Sequence, residues 1–436
     1  MYEHTLKKQT LLKQHSYHLK IMWECNWDRE VNTNEALQRF LATYQKVDPL
    51  EPRNAFFGGR TNAVRLYHPV DQSQGEQIKY VDVTSLYSWV NKTCEYPVGH
   101  PEILTNPTDQ DIHHYFGMAY IDILPPPHLY HPVLLHRPAG KLTFPLCRSC
   151  VQDQMPLLQL DKLWWCSHTE TQHALRRTWC TPEIQEAVRH RYIVLHIHKV
   201  WHFPPKKRRK GLFSDYVNSW LKMKQESARY PGWCLTPNDK LHYVRQYKER
   251  EGIALDTAMI QKNPGQKATP KLMLNSFWGK LGENLHKKHT KTAPLPAELF
   301  DYLDLCDNQS DNGRVNIFVA AFTACWARLK LYSYLDQLKQ QVLYFDTDSI
   351  VYSHKPGQAN IPLGDYLGDM TNELDAEDYI VDFTSAGPKN YGYKTKLGKV
   401  CCKVRGFTLN VRGSQQLNYD IMRENLLEDL TNPLDQ

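Results

Sequence analysis

The run Val342-Leu343-Tyr344-Phe345-Asp346-Thr347-Asp348-Ser349-Ile350-Val351-Tyr352 constrains the fold more than any other part of this chain. β-Branched and aromatic residues on both sides predict two short strands, and Asp-Thr-Asp between them suits a tight turn. The letters therefore spell a β-hairpin with carboxylates at its tip. Two carboxylates this close repel one another, and one stays protonated unless a cation holds both ionised. Oxygen-only ligands of this kind favour Mg²⁺. The plainer reading is an acidic surface turn, since Asp is a common turn residue.

A chain of 436 residues, 41% of them apolar, can bury a substantial core in two or three lobes. Lys and Arg number 53 against 47 acids, and the net +6 permits an acidic polymer as partner without requiring one. No apolar run is long enough for a membrane span, and the polar start from Met1 to Gln14 carries no secretion signal, so an intracellular protein without a membrane partner is expected. The 11 cysteines, odd in number and scattered, fit reduced thiols better than a disulfide framework.

Helix-like text runs from Asn34 to Lys46. Phe57-Gly58-Gly59-Arg60-Thr61-Asn62 sets two glycines beside an Arg that can reach a phosphate, or forms an ordinary turn with a surface Arg. Gln77 to Val83 reads as a strand, and Thr84-Ser85-Leu86-Tyr87 turns from it into a helix. Asp82 then either caps that helix or shares a cleft with the Tyr87 ring. From Cys94 to Tyr230 the text is rich in Pro, His and Trp. Within it Cys147, Cys150, Cys166 and His168 supply four soft ligands, enough for a closed tetrahedral Zn²⁺ site; the alternative is a set of buried or free thiol and imidazole groups. The block Lys206-Lys207-Arg208-Arg209-Lys210 reads as a solvated mobile run, a nuclear-import signal or a phosphate-binding arm.

Asn238 to Gly252 has the pattern of a helix, entered through Thr236-Pro237. After a loop at Asn263-Pro264-Gly265, Thr269-Pro270 fits the N-cap and first position of a helix over Lys271 to Gly279. Lys271, Asn275 and Trp278 share one stripe of that helix. The stripe suits a nucleotide, with Lys271 adding to the pull of the helix N-terminus on phosphate; an exposed Lys with a half-buried Trp is the plainer reading. Asn316 to Tyr334 is a long amphipathic helix containing Arg328. Beyond the hairpin, Lys394, Lys396, Lys399, Lys403 and Arg405 alternate with Val400, Val404 and Phe407, as in strands with one basic face suited to a nucleic-acid backbone.

Asp82-Val83-Thr84-Ser85-Leu86-Tyr87, the Lys271 to Gly279 helix and Tyr344-Phe345-Asp346-Thr347-Asp348-Ser349, in that order, closely resemble the three polymerase motifs of the family B DNA polymerases. Ser88 stands where the first motif has Pro, and Trp278 where the second often has Tyr; the third matches throughout. Lys389-Asn390-Tyr391 resembles the family's Lys-x-Tyr element. The long inserts between motifs are similar to the protein-primed branch of viruses, linear plasmids and Polinton-type transposons, as are Phe57 to Asn62, Tyr96 to Pro101, Phe144 to Cys150 and Asn275 to Lys280.

The resemblance implies an α+β right-hand polymerase fold: a palm with an antiparallel sheet, helical fingers and a short thumb, with large insertions. An N-terminal remnant would cover 1–76, palm 77–99 and 316–400, a first insertion with the zinc tetrad 100–230, fingers 231–283, a second insertion 284–315 and a truncated thumb 401–436. An exonuclease domain is expected to be absent. The implied activity is DNA-directed DNA polymerisation, with Asp82, Asp346 and Asp348 binding two Mg²⁺ ions. Ser85, Leu86, Tyr87, Lys267, Lys271, Asn275 and Trp278 would bind the nucleotide, the lysines at the triphosphate and Tyr87 under the sugar. Arg60, Thr347, Lys389, Tyr391 and Lys403 would contact DNA. Template and primer DNA, dNTPs and a terminal protein primer are the implied partners. Two alternatives stand beside it. One is another palm polymerase such as a reverse transcriptase, against which the Lys-x-x-x-Asn-Ser-x-aromatic-Gly helix speaks. The other is an inactive remnant that binds DNA through its basic strands.

Overall fold

Strands that are far apart in the chain meet in one antiparallel sheet, because each alternates or runs continuously in β-branched and aromatic residues that only a shared core can cover. The computed structural model describes residues 2–14, 19–43, 49–153, 166–283, 315–407, 413 and 417–431. Residues 1–49 form one unit and 50–436 another. The first contains the helices Tyr2–Gln14, Glu24–Thr33 and Glu35–Thr43.

In the second unit the strands are β1 (Thr61–Ala63), β2 (Tyr67–Pro69), β3 (Gln77–Val83), β4 (Glu95–Pro97), β5 (Glu102–Thr105), β6 (Gly117–Leu124), β7 (Leu175–Cys180), β8 (Ile193–His202), β9 (Arg208–Lys210), β10 (Val342–Asp346), β11 (Ser349–His354), β12 (Met370–Asn372), β13 (Ile380–Ser385), β14 (Asn390–Thr395) and β15 (Val400–Val404). The main sheet runs β1-β10-β11-β3-β13-β14-β15, with β12 also paired to β3 and β2 to β13. The hairpin expected at Asp346 to Asp348 is β10-β11, and the strand expected at Gln77 to Val83 is its neighbour β3. The boundary expected at residue 76 moves to residue 49, because β1 and β2 are already part of this sheet.

A second sheet runs β5-β8-β6-β7, and the strands that flank it in the chain, β4 and β9, pair as a separate two-stranded ribbon. The core of the second sheet packs Ile121, Ile123, Trp179, Ile197 and Val200 with Tyr332 of the long helix Ile317–Leu338. Arg328 of that helix joins the two sheets. Its guanidinium donates to Glu183 at 2.7 and 3.0 Å and to the carbonyls of Phe57 and Gly58 at 3.0 and 2.9 Å. Both side chains of the ion pair are at most 3% exposed.

The ribbon corrects two expectations. The cations at Lys206 to Lys210 are not a free run: Arg208 to Lys210 pair with β4, and the Arg208 guanidinium donates to the Phe203 carbonyl at 2.7 Å and lies over the Phe116 ring. The first insertion closes at that ribbon rather than at residue 230, since the helix Ser214–Glu226 packs with Pro264–Leu281 among the fingers. The latter helix also starts earlier than Thr269. The Asn263 side chain accepts from the Gln266 amide at 3.0 Å and Pro264 takes the first turn, so Pro270 lies inside the helix. Pro237–Glu251 begins and ends as expected, with a Thr236-Asp239 capping box and Gly252 left-handed after its last turn. No described helix is long and apolar enough to cross a membrane.

Candidate active site

The hairpin turns through Thr347, whose φ of 62° is left-handed, and the Asp348 amide donates to the Asp346 carbonyl at 2.6 Å. Pairing of β11 with β3 sets Ser349 opposite Asp82, and the Val83 amide donates to the Asp348 carbonyl at 2.7 Å. Asp82 and Asp348 are thereby neighbours, each half-buried. Burial, then the nearby Asp348 and Glu373, push the Asp82 carboxyl up to about 7; Lys403 opposes them. Burial and then Asp346 push Asp348 up to about 6 against the pull of Lys389. This is the behaviour of half-buried carboxylates crowded beyond what the nearby lysines offset, and a divalent cation would offset it further.

Asp346 is held differently. Its carboxylate accepts from Lys389 Nζ at 2.8 and 3.1 Å, from Thr61 Oγ1 at 2.8 Å and from Thr347 Oγ1 at 2.9 Å. Lys389 is itself fixed by its amide, which donates to the Tyr344 hydroxyl at 2.8 Å.

Ser85, left-handed at φ 51°, reverses the chain from β3 into the helix Leu86–Thr93. Leu86 enters the core, and the next ring, Tyr87, stacks on Trp278 with centroids 4.3 Å apart and planes 13° apart. A cavity of about 220 Å³ lies between the carboxylates and the fingers, lined by Asp82, Ser85, Asp348, Lys224, Lys271 and Asn275 among others. Residues of all three motif stretches, the Asp82 strand end, the Lys271 helix and the hairpin, line this one cavity. Lys267 lies on the same helix as Lys271, exposed.

Lys224 was not among the expected residues. It sits on the helix Ser214–Glu226 and donates to Ser85 Oγ at 3.3 Å. Burial, with Lys267 and Lys271 nearby, lowers its pKa, so the pocket wants an anion. The signal available in the text was the Lys-x-Lys at 222 to 224, which the boundary at 230 assigned to the insertion.

Two expected DNA contacts are corrected. Arg60 is 2% exposed; its guanidinium donates to the carbonyls of Val133 at 3.2 Å and Pro132 at 2.5 Å and lies 4.0 Å from the Phe144 ring centroid. Its role is to pin the second sheet's loops to the palm. Tyr391 is 4% exposed, and its hydroxyl meets that of Tyr80 at 3.0 Å within a cluster of aromatic rings. Lys403 is exposed as expected, its ammonium above the Tyr80 and Tyr391 rings.

Away from this cleft, one donor atom from each of Cys147, Cys150, Cys166 and His168 lies within 4.8 Å of all the others. His168 Nδ1 is 3.4 Å from both Cys147 Sγ and Cys150 Sγ, and His173 Nε2 is 3.2 Å from Cys166 Sγ. Three thiols and an imidazole at this spacing fit tetrahedral Zn²⁺. Cys180, Glu183 and Cys325 also converge, but Arg328 already neutralises that carboxylate.

Residues 29–231 match the family model described as DNA polymerase type B, organellar and viral. No curated protein matches the sequence. The fold is similar to that of phi29 DNA polymerase in its orthorhombic crystal form, with a TM-score of 0.51 and 15% identity over 85% of this chain and 57% of that one. Against phi29 DNA polymerase complexed with primer-template DNA and incoming nucleotide substrates, the TM-score is 0.52 at 16% identity over 90% of this chain and 60% of the other. This chain spans roughly three fifths of those polymerases' length. At such identities the likeness establishes the fold, a right-hand polymerase architecture, and the chemistry has to come from the site.

Proposed function

We propose that this chain is a relative of the type B DNA polymerases of the protein-primed kind, and that it is, or is part of, a DNA-directed DNA polymerase. The observation that carries the reading is the register of β3 against β11, which sets Asp82 beside Asp348 and faces both with Lys271 across one cavity. The residues fit a pair of Mg²⁺ ions held by Asp82 and Asp348 with support from Asp346. When bound, such ions activate the primer 3′-hydroxyl and neutralise the leaving pyrophosphate.

The chain's own side chains supply the rest. Lys271 and Lys224, with Lys267 behind them, offer cations to a triphosphate opposite the carboxylates. The stacked Tyr87 and Trp278 rings suit the floor and wall of a nucleoside pocket, where Tyr87 would exclude a 2′-hydroxyl. Lys389 orients Asp346 by charge and hydrogen bond, and Lys403 presents a cation to a primer backbone from β15. A structural Zn²⁺ at Cys147, Cys150, Cys166 and His168 completes the metal set, and a terminal protein primer and a virus-like or transposon setting follow the protein-primed likeness.

Primer extension with Mg²⁺ and dNTPs tests the reading. Extension on a DNA template that is lost in Asp348→Ala supports it. Preference for an RNA template points instead to reverse transcription, and DNA binding without extension points to an inactive remnant.

A further inference from the structure

Glu251 closes the helix Pro237–Glu251 at the base of the fingers and is 7% exposed, although none of the roles above uses it. Its carboxylate serves two distant segments at once. Oε2 accepts from Lys92 Nζ at 2.8 Å, and Oε1 accepts from the Leu367 amide at 2.7 Å. Lys92 Nζ also donates to the Glu251 carbonyl at 2.6 Å. Lys92 lies in the last turn of the helix that follows Ser85, and Leu367 lies in the loop that leads into β12.

From that loop the hydrogen bonds run directly to the catalytic strand. The Gly368 amide donates to the Thr84 carbonyl at 2.9 Å, and the Thr84 amide donates to the Asp369 carbonyl at 2.8 Å. The Thr84 and Thr371 hydroxyls meet at 2.5 Å, and Thr371 stands opposite Asp82 in the β12-β3 register. The path tolerates little slack. Gly368 is left-handed at φ +83°, and a Cβ there would fall 2.2 Å from the Trp89 ring. The fingers segment otherwise has its own small core, formed by Leu221, Tyr243, Tyr247, Ile253 and Ile260, to which Tyr366 and Leu367 add.

We infer that Glu251 is a positioning residue, resting on the polymerase reading above: it fixes the fingers to the strand carrying Asp82 by holding Lys92 on one side and the Leu367 amide on the other. A buried carboxylate with two partners from separate segments sets their relative placement as well as stabilising them. Asp82 acts with Asp348, so an error in its strand is felt at the shared metal site.

The test compares wild type, Glu251→Gln, Glu251→Ala and Lys92→Met in single-nucleotide incorporation across Mg²⁺ and dNTP concentrations, with Mn²⁺ affinity, duplex affinity, thermal unfolding and amide exchange at Leu367 and Gly368 measured alongside. Glu251→Ala should lower the incorporation rate by about ten- to a hundredfold at unchanged duplex affinity, the scale expected of a small displacement of reacting groups. It should raise the Mg²⁺ concentration for half-maximal rate and expose the Leu367 amide to exchange. Glu251→Gln keeps an acceptor for that amide and should recover part of the rate. Wild-type rate and Mg²⁺ dependence in Glu251→Ala, or a loss that merely follows the folded fraction, overturns the inference. Should wild type extend no primer, the polymerase reading fails by itself. The Mn²⁺ and exchange arms then decide: weakened Mn²⁺ binding with an exposed Leu367 amide supports the coupling, and no change in either refutes it.

Discussion

Asp82 and Asp348 are held side by side by the backbone ladder of β3 and β11, whereas the four donors of the cysteine tetrad come from the short helix Arg148–Gln152 with the Cys147 that precedes it, and from the segment around Cys166 to His168. The carboxylate pair has its geometry imposed by a sheet that the core stabilises regardless of what binds there. Its like charges work against folding. The thiol and imidazole groups have no sheet to hold them, so the ion would supply their order. Removing a ligand therefore has opposite consequences at the two places: lost chemistry with fold retained at the carboxylates, lost local order with chemistry largely retained at the thiols.

The contrast breaks most decisively at the hairpin. Asp348→Ala should reduce primer extension by at least about a thousandfold, comparable to or beyond the loss of one strong transition-state donor. The unfolding temperature of metal-free protein at pH 8 should not fall. Extension at near wild-type rate, or collapse of the fold, would remove the distinction. The next effect belongs to the tetrad. Elemental analysis should find about one Zn²⁺ per chain, and Cys147→Ser should lose it, with limited proteolysis then cutting between residues 145 and 175. A folded, metal-free wild type would dismiss the site.

The pH dependence sharpens the comparison further. Asp82 and Asp348 are pushed up to about 7 and 6, above the ordinary carboxyl value, so the folded chain holds protons that the unfolded chain has released. Their contribution to stability is present below pH 4 and is lost as pH rises through 6 to 7. Metal-free protein should therefore show a melting temperature that drops across this window. Asp82→Asn should flatten the drop, and saturating Mg²⁺ should reverse it by binding the native state. The smallest effect concerns selectivity: Tyr87→Ala should raise incorporation of ribonucleotides relative to deoxyribonucleotides, measured on one template. An unchanged ratio removes Tyr87 from its assigned place.

Much of the carboxylate cleft was legible in the text because its letters state their own local structure. The hairpin and β3 are strands by composition, and their acids fall at strand ends, where a cleft can form. Lys271, Asn275 and Trp278 follow from helical spacing once a helix is granted. What failed was whatever depends on distant packing. Arg60 looks like a surface cation beside glycines until Phe144, Tyr332 and Phe345 close over it. Tyr391 looks like a DNA contact until Tyr80 and Tyr344 surround it. Lys224 and Glu251 carry no local mark, since each acts only through a partner in another segment. The early start at Asn263 was hidden by a second cap-like pair, Thr269-Pro270, which the longer helix simply absorbs.

The buried Glu183–Arg328 pair limits how such a gene can be rearranged. The detour between β4 and β9 looks like a cassette that recombination could shorten or exchange. Its carboxylate, however, is neutralised by a guanidinium encoded well downstream, and separating the two leaves a naked charge at a penalty of about 3–5 kcal/mol. Chimaeras spliced at the ribbon should survive only when the incoming segment again brings a carboxylate to the Arg328 guanidinium.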